Sequence, residues 1–267
     1  MADWNPSNYL KFKNERTQPS IDLASRISIA DPATIVDLGC GPGNSTKILA
    51  NKWPKAKITG IDNSPEMLKK AEADFPAQSW VLSDITKLDG SNTYDIVFSN
   101  ATLQWLQDHE TLIAKLFRLT KKNGVLAIQV PMNQNAPLHQ ALLRVAKSEE
   151  WGRFTAECDS LMNYRSATYY YDILAKLTNS FDVWETTYIH ILDNHRALID
   201  WYRSTGMRLY LNTLPDETAR AQFEEDVLEI CKREYPLQQN GKILYPFTRA
   251  FFTAYHVPDR GEHDYRG

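Results

Sequence analysis

The stretch Val36-Asp-Leu-Gly-Cys-Gly-Pro-Gly-Asn-Ser-Thr46 constrains this chain more than any other. The apolar run Thr34-Ile-Val36 leads into it, and the helix-compatible Lys47-Ile-Leu-Ala50 follows. Gly39, Gly41 and Gly43 let the backbone turn at positive φ and let a ligand come close to main-chain atoms. Asn44 and Ser45 are natural caps for the helix that follows. The segment therefore reads as strand, tight loop and helix N-terminus. Its spacing is G-x-G-x-G, with Pro42 stiffening the turn. Dinucleotide loops read G-x-G-x-x-G, which leaves room for a pyrophosphate on the helix dipole. A tight strand-to-helix turn with no ligand needs similar glycines, so the loop has to be weighed with the rest of the chain.

Around the loop, apolar runs at 34–38, 56–61, 79–83, 94–99 and 124–130 predict strands, and 45–52, 65–73 and 110–120 predict helices. This alternation predicts a doubly wound, mostly parallel α/β sheet covered on both faces. After Pro131 the texture changes. Helices are expected at 138–151, 169–177, 195–211 and 217–235, and strands at 182–192 and 245–257 complete a seven-stranded sheet. The chain reads as a single domain, 1–267, with a binding core at 30–131 and helical cap insertions at 132–181 and 193–243. An N-terminal lid covers 1–29, with helical spacing at 21–27, and the polar tail from 258 is expected to be loose. Ligands of such sheets bind beyond the carboxyl ends of the strands, so the lid and the insertions would roof the pocket.

Composition removes several classes. The formal net charge is −3, which gives no basic field for nucleic acid, and no Asn/Asp-Pro-Pro-Tyr/Phe motif follows the fourth strand. The opening Met1-Ala-Asp-Trp-Asn-Pro6 lacks the basic and apolar regions of a signal peptide. No apolar run approaches the roughly 18 residues of a membrane span. Cys40, Cys158 and Cys231 are odd in number and widely spaced, which is neither a disulfide framework nor a zinc pattern. Cys40 is read as a small loop residue and not as a nucleophile. A cytoplasmic protein with no metal, no nucleic acid and no membrane partner is expected; oligomeric state stays open, and a monomer satisfies the sequence.

Gly60-Ile-Asp62 ends the second strand. An acidic group there can accept hydrogen bonds from both hydroxyls of a ribose. Asp62 could instead cap the next helix, but Ser64, with Pro65 at the first helical position, serves that purpose. The loop spacing resembles motif I of the class I S-adenosylmethionine (AdoMet) methyltransferases. That resemblance implies that the loop, with Asn44, lies under the amino-acid part of a phosphate-free cofactor, and that Asp37 reaches its ammonium directly or through water. It also implies that Asp62 and Asn63 hold the ribose, and that Met67 lies on an adenine face. Asp84 and Ile85 would bind the adenine edge. Asn100 would sit beside the methionine portion, and Leu103-Gln-Trp105 would border the transferable methyl. Each of these residues has a plain structural use; four successive strand ends suited to one cofactor are more specific than any one of them.

Further segments resemble the trans-aconitate 2-methyltransferases: Asp3-Trp-Asn-Pro-Ser-Asn-Tyr-Leu-Lys-Phe-Lys-Asn-Glu-Arg16 with Pro19, the stretches 37–46 and 99–106, and Tyr170-Tyr-Asp-Ile-Leu174. So do Thr186-Thr-Tyr-Ile-His190, Ile199-Asp-Trp201, Thr205-Gly-Met-Arg208, and Tyr235-Pro-Leu-Gln-Gln-Asn-Gly-Lys-Ile-Leu244 with Arg249. The resemblance leaves out 150–168 and the tail after 257. It implies monoesterification of a small tricarboxylate by AdoMet. A carboxylate is ionised at neutral pH and needs no general base; alignment and exclusion of water should suffice. Its other carboxylates need fixed donors, which arginine supplies best. Arg208 and Arg249 are the first candidates, Trp105 borders the reacting group, and His190, Tyr170, Tyr171, Trp201 and Arg16 come second. Alternatives are a methyltransferase for another small acid or metabolite, and a non-catalytic AdoMet-binding regulator. An NAD-dependent oxidoreductase fits less well, because the G-x-G-x-x-G spacing is missing.

Overall fold

Both sets of alternating residues along the central strands are apolar, as a strand covered on two sides requires. In β1 (Thr34–Leu38), Ile35 packs on one face of the sheet, and Val36 and Leu38 pack on the other. β4 (Tyr94–Asn100) repeats the pattern, with Ile96 and Phe98 opposite Val97. The computed structural model describes residues 13–91 and 93–257, with side chains from Thr17 onward. The first half of the expected lid and the tail from 258 lie outside the described residues.

β1, β4, β2 (Lys57–Asp62), β3 (Ser79–Leu82) and β5 (Thr120–Pro131) run parallel. β6 (Phe181–Leu192) and β7 (Ile243–Tyr255) complete a seven-stranded sheet in the order β3-β2-β1-β4-β5-β7-β6. β7 is antiparallel to both of its neighbours. The order reverses between β1 and β4, so these two strands flank the switch point where such sheets bind ligands, with β2 beside β1.

Helices α1 (Lys13–Ser25) and α2 (Asn44–Lys52) cover one face, burying Leu23, Leu49 and Trp53. The helix α3 (Pro65–Asp74) flanks β2 and β3, while α4 (His109–Phe117) covers the other face with Leu112, Ile113 and Leu116. Between β5 and β6 lie α5 (Pro137–Ala146), the single turn α6 (Gly152–Thr155) and α7 (Ala167–Leu174). Between β6 and β7 lie α8 (His195–Arg203), α9 (Gly206–Leu211) and α10 (Glu217–Glu234). α5, α6 and α8–α10 enclose a core of their own around Trp151, Tyr202, Tyr210 and Phe223. Glu224, 1% exposed, ties that cap together by pairing with Arg196 at 2.9 Å and Arg203 at 2.9 Å on α8. No helix among the described residues is long and apolar enough to cross a membrane.

Three elements depart from the sequence pattern. The helix expected over 195–211 is broken, because a Cβ at Gly206 would lie 2.5 Å from the Tyr202 ring; the glycine admits that ring and α9 starts afresh there. The helix expected to reach 151 stops at Ala146, whose carbonyl accepts from Thr155 Oγ1 at 2.7 Å. β5 starts at Thr120, earlier than expected, because a register shift opposite Tyr94 and Ile96 bulges the strand and carries it through Asn123 at φ 65.

Candidate active site

Each of the three loop glycines answers a different requirement. All have positive φ: 69 at Gly39, 54 at Gly41 and 87 at Gly43. A Cβ at Gly39 would collide with Thr102 at 2.2 Å, so this glycine lets β1 and β4 close. A Cβ at Gly43 would meet Phe75 and Trp80 at 2.8 and 2.9 Å. Gly43 is thus packed against protein and does not line the cavity described below, contrary to its expected role. Only at Gly41 is there nothing within 4 Å, because the chain there faces open space.

The loop hangs on β2. The N–H groups of Gly39 and Cys40 donate to Ile61 O at 2.7 and 3.1 Å. The Gly41 N–H donates to Asp62 Oδ2 at 2.8 Å, and the Ser64 N–H to Asp62 Oδ1 at 2.9 Å. Burial raises the Asp62 pKa, and those backbone donors oppose the rise. Ser64 caps α3 by accepting from the Met67 N–H. Asn44 and Ser45 do not cap α2; Gly43 occupies that position with no side-chain bond. Instead Ser45 and Thr46 each donate a hydroxyl to Asp37 Oδ2 at 2.6 Å. Asp37 is fully buried behind the loop, so it braces the loop and lines no cavity wall. Burial drives its pKa up to about 6 against the pull of the two hydroxyls, and the charge of Asp62 adds to the rise.

A cavity of about 750 Å³ opens beyond these strand ends. Gly39, Gly41 and Asn44 form its floor; Asp62, Asn63 and Met67 its β2 side; Asp84 and Ile85 its β3 side. Asn100 and Trp105 close the β4 side, Ser20 of α1 reaches the wall, and Arg208 and Asn212 face it from the cap. Asp84 accepts from the N–H and the hydroxyl of Thr86 at 2.9 and 2.7 Å; the hydroxyl bond is the larger cause of its lowered pKa. A second cavity, of about 70 Å³, adjoins the first and shares Asn100, Ala101 and Trp105 with it. Arg249, Trp201, Tyr164, Tyr202 and Asn133 line this smaller space. Arg249 is 5% exposed, donates to Gln129 Oε1 at 3.3 Å and lies 4.3 Å over the Phe247 ring.

Several expected site residues lie elsewhere. Leu103 is fully buried beneath the sheet, because the one-turn helix Leu103–Trp105 rotates it inward and leaves Gln104 and Trp105 on the cavity side. Its carbonyl is 2.7 Å from His109 Nε2. A carbonyl only accepts, so Nε2 carries the proton and Nδ1 accepts from the Tyr170 hydroxyl at 3.1 Å. Tyr170 therefore props that turn from behind, inside the core, and does not reach either cavity. Tyr171, the next residue round the helix, is 53% exposed and packs on Phe181. His190 stands behind Trp201, ring centroids 4.6 Å apart, and lines neither cavity. Burial, helped by Arg249, lowers its pKa to about 4. Arg208 borders the large cavity and not the small one that holds Arg249. The side chain of Arg16 lies outside the described residues. Among the described residues no cluster of His, Cys, Asp and Glu could hold a metal ion.

The sequence reading missed Asn133, Tyr164 and Tyr202. Tyr164 falls in the stretch the family resemblance left out; Gly206, which makes room for Tyr202, was a usable signal.

A model of the methyltransferase domain matches residues 36–128. A trans-aconitate 2-methyltransferase of Enterobacter sp. (strain 638) is 41% identical over 258 residues, covering 97% of this chain and all of that one. One from Klebsiella pneumoniae (strain 342) is 44% identical over 254 residues, covering 95% and 98%. The chain belongs to the trans-aconitate 2-methyltransferase family. Solved structures agree on the class I methyltransferase fold. The YcgJ protein of Bacillus subtilis superposes with a TM-score of 0.58 at 12% identity, over 90% of this chain and 99% of that one. Phosphoethanolamine N-methyltransferase 2 of Haemonchus contortus, solved with S-adenosylhomocysteine, gives 0.56 at 14% identity over 90% and 53%. In this trans-aconitate 2-methyltransferase family member, the matched domain carries the large cavity's floor, and most of the small cavity's lining lies outside it.

Proposed function

We propose that this chain transfers a methyl group from AdoMet to a carboxylate oxygen of trans-aconitate, giving the monomethyl ester and S-adenosylhomocysteine. The observation that carries the reading is the pair of adjoining cavities, one built from strand ends and one around a buried arginine, meeting at Asn100–Trp105.

The residues of the large cavity fit AdoMet. Gly41 presents bare backbone to open space, Asp62 offers its carboxylate on the wall, and Asn100 Oδ1 is buried with no described partner. The volume lies within the range of small-molecule sites. Asp62 and Asn63 would hold the ribose, Asp84 and Ile85 the adenine edge, with Met67 on its face. Gly39, Gly41, Asn44 and Asn100 would hold the methionine end. When bound, AdoMet supplies a methyl carbon made electrophilic by a sulfonium. No side chain has to take a proton, since the acceptor carboxylate is already ionised.

The chain's task is alignment in a dry site. Trp105 at the junction and Trp201 in the small cavity exclude water, and Arg249 anchors a carboxylate from the small cavity. Arg208 reaches the acceptor from the side of the large cavity. The reading requires no metal, nucleic acid or membrane, and is that of a cytoplasmic enzyme of small molecules. It is tested by offering the protein AdoMet with trans-aconitate, cis-aconitate, citrate or isocitrate and detecting esters by mass. A fast monoester from trans-aconitate with little from citrate is expected. AdoMet binding with no ester from any of the four overturns the acceptor.

A further inference from the structure

Four amide side chains each keep a buried polar atom that no described group pairs, Asn100 Oδ1, Gln104 Oε1, Gln129 Nε2 and Asn133 Oδ1; Asn100, Gln104 and Asn133 line the small cavity, and Gln129 stands behind Arg249. Gln129 is fully buried, and Gln104 and Asn133 are each 4% exposed. Buried polar groups are normally satisfied, so such a concentration marks where a ligand completes the pairing. Two of the four have other duties. Gln129 steadies Arg249 through its Oε1, and Asn100 lies on the wall of both cavities. Gln104 and Asn133 line only the small cavity, and Gln104 is itself fixed by donating to Ala101 O at 2.7 Å. A terminal amide presents its oxygen or its NH₂ by a half-turn, so the orphaned oxygen of Asn133 also marks an available pair of donors.

We propose that Asn133 positions the carboxylate that is methylated, while Arg249 anchors one that is not. The proposal rests on the acceptor reading given above. Its reason is the charge that the reaction destroys. The attacking oxygen forms a bond to the methyl carbon, the carbon–sulfur electron pair returns to sulfur, and a negative and a positive charge both vanish; no proton moves. A guanidinium on the reacting carboxylate would stabilise the charged ground state more than the neutralising transition state. A neutral amide makes hydrogen bonds about half as strong as charge-assisted ones, so it orients the oxygen at little cost to its nucleophilicity. Arginine suits the carboxylates that keep their charge throughout. The small cavity provides both kinds of donor on separate elements, Arg249 on β7 and Asn133 in the loop after β5.

The experiment compares wild type with Asn133→Asp and Asn133→Ala. It measures AdoMet binding by calorimetry, kinetics against trans-aconitate, and the distribution of methyl among the carboxylates by NMR. N133D sets a like charge against the acceptor and is expected to lower kcat/KM for trans-aconitate by at least ~100-fold. N133A removes one hydrogen-bonding group and is expected to lower it about 10-fold. Both should bind AdoMet as wild type does and shift the distribution of methyl, which a merely structural role would leave unmoved. If N133D fails to bind AdoMet, N133S, which keeps a small polar group, carries the same comparison. Wild-type ester formation with variants unchanged in kcat/KM and in methyl distribution overturns the proposal alone. Wild-type protein that binds AdoMet but makes no ester overturns the reading beneath it.

Discussion

The glycine loop and the cap face each other across one cavity, yet the loop is held by main-chain bonds to β2 and by two carboxylates, and the cap by rings and ion pairs. Ile61 O, the Asp62 carboxylate and Asp37 fix the loop through main-chain N–H groups and two short-range hydroxyls. The cap is fixed by rings and charges: Trp201 on His190, the Tyr202 hydroxyl 2.6 Å from His139 Nδ1, and Glu224 between two arginines. The two regions also hold opposite kinds of buried titratable group. Burial raises Asp37 to about 6, and lowers His139 and His190 to about 4. On the proposed function this is a division of labour, in which the loop side takes the cofactor and the wall packed by cap side chains takes the acceptor.

The sharpest break of that division comes from Arg249→Ala. We expect kcat/KM for trans-aconitate to fall at least ~100-fold, as for a lost charge-assisted pair, with AdoMet affinity nearly unchanged. Equal losses in both would mean that the two walls act as one.

Within the loop, Gly39→Ala and Gly41→Ala separate folding from binding. G39A drives a Cβ to 2.2 Å from Thr102 at positive φ, and thermal melts should show a loss of about 3 kcal/mol. G41A meets nothing within 4 Å and should cost only about 1 kcal/mol of backbone strain. Its larger effect should be on AdoMet titrations, about 10-fold weaker. Reversed outcomes would place the ligand at Gly39.

The pH response distinguishes loop from cap by sign. The folded pKa of Asp37 is raised from 3.8 to about 6, so the native state holds an extra proton between those values. Its contribution is full below about pH 4 and is lost as pH rises through 6. Asp37→Asn should therefore stabilise the protein at pH 7.5, by at most roughly 3 kcal/mol, and the gain should vanish near pH 4. His139 is lowered from 6.5 to about 4, so its contribution is full above 6.5 and is lost as pH falls towards 4. His139→Asn should flatten that acid loss. Melting curves from pH 4 to 8 that move both variants in the same direction would remove the contrast.

The smallest effect is assigned to Arg208→Ala, because Arg208 borders the large cavity and not the small one that holds Arg249. We expect the KM for trans-aconitate to rise about 10-fold, with a smaller rise for AdoMet. An effect as large as that of R249A would move the acceptor into the large cavity.

The loop half was legible because its positions are local. A glycine spacing, an Asp closing one strand and an Asn closing another need no knowledge of distant residues. Where the reading slipped, a partner arrived from elsewhere, as Phe75 and Trp80 do against Gly43. Leu103 was misplaced by the pitch of a single 3₁₀ turn, which exchanges the inward residue for its neighbours. Tyr170 and Tyr171 were read with the site, but α7 turns Tyr170 into the core behind the Leu103–Trp105 turn and Tyr171 out to solvent. The cap was less legible because its lining is chosen by packing. Asn133, Tyr164 and Tyr202 are far apart in sequence and share no spacing, and only the folded α8–α9 break brings Tyr202 to the cavity.

The most direct test is a single-turnover reaction of the protein with [methyl-¹³C]AdoMet and trans-aconitate, followed by NMR. The account predicts one labelled methyl ester per enzyme, formed on trans-aconitate in preference to citrate in competition. Bound AdoMet whose label never leaves the sulfur, with either acid present, would contradict it.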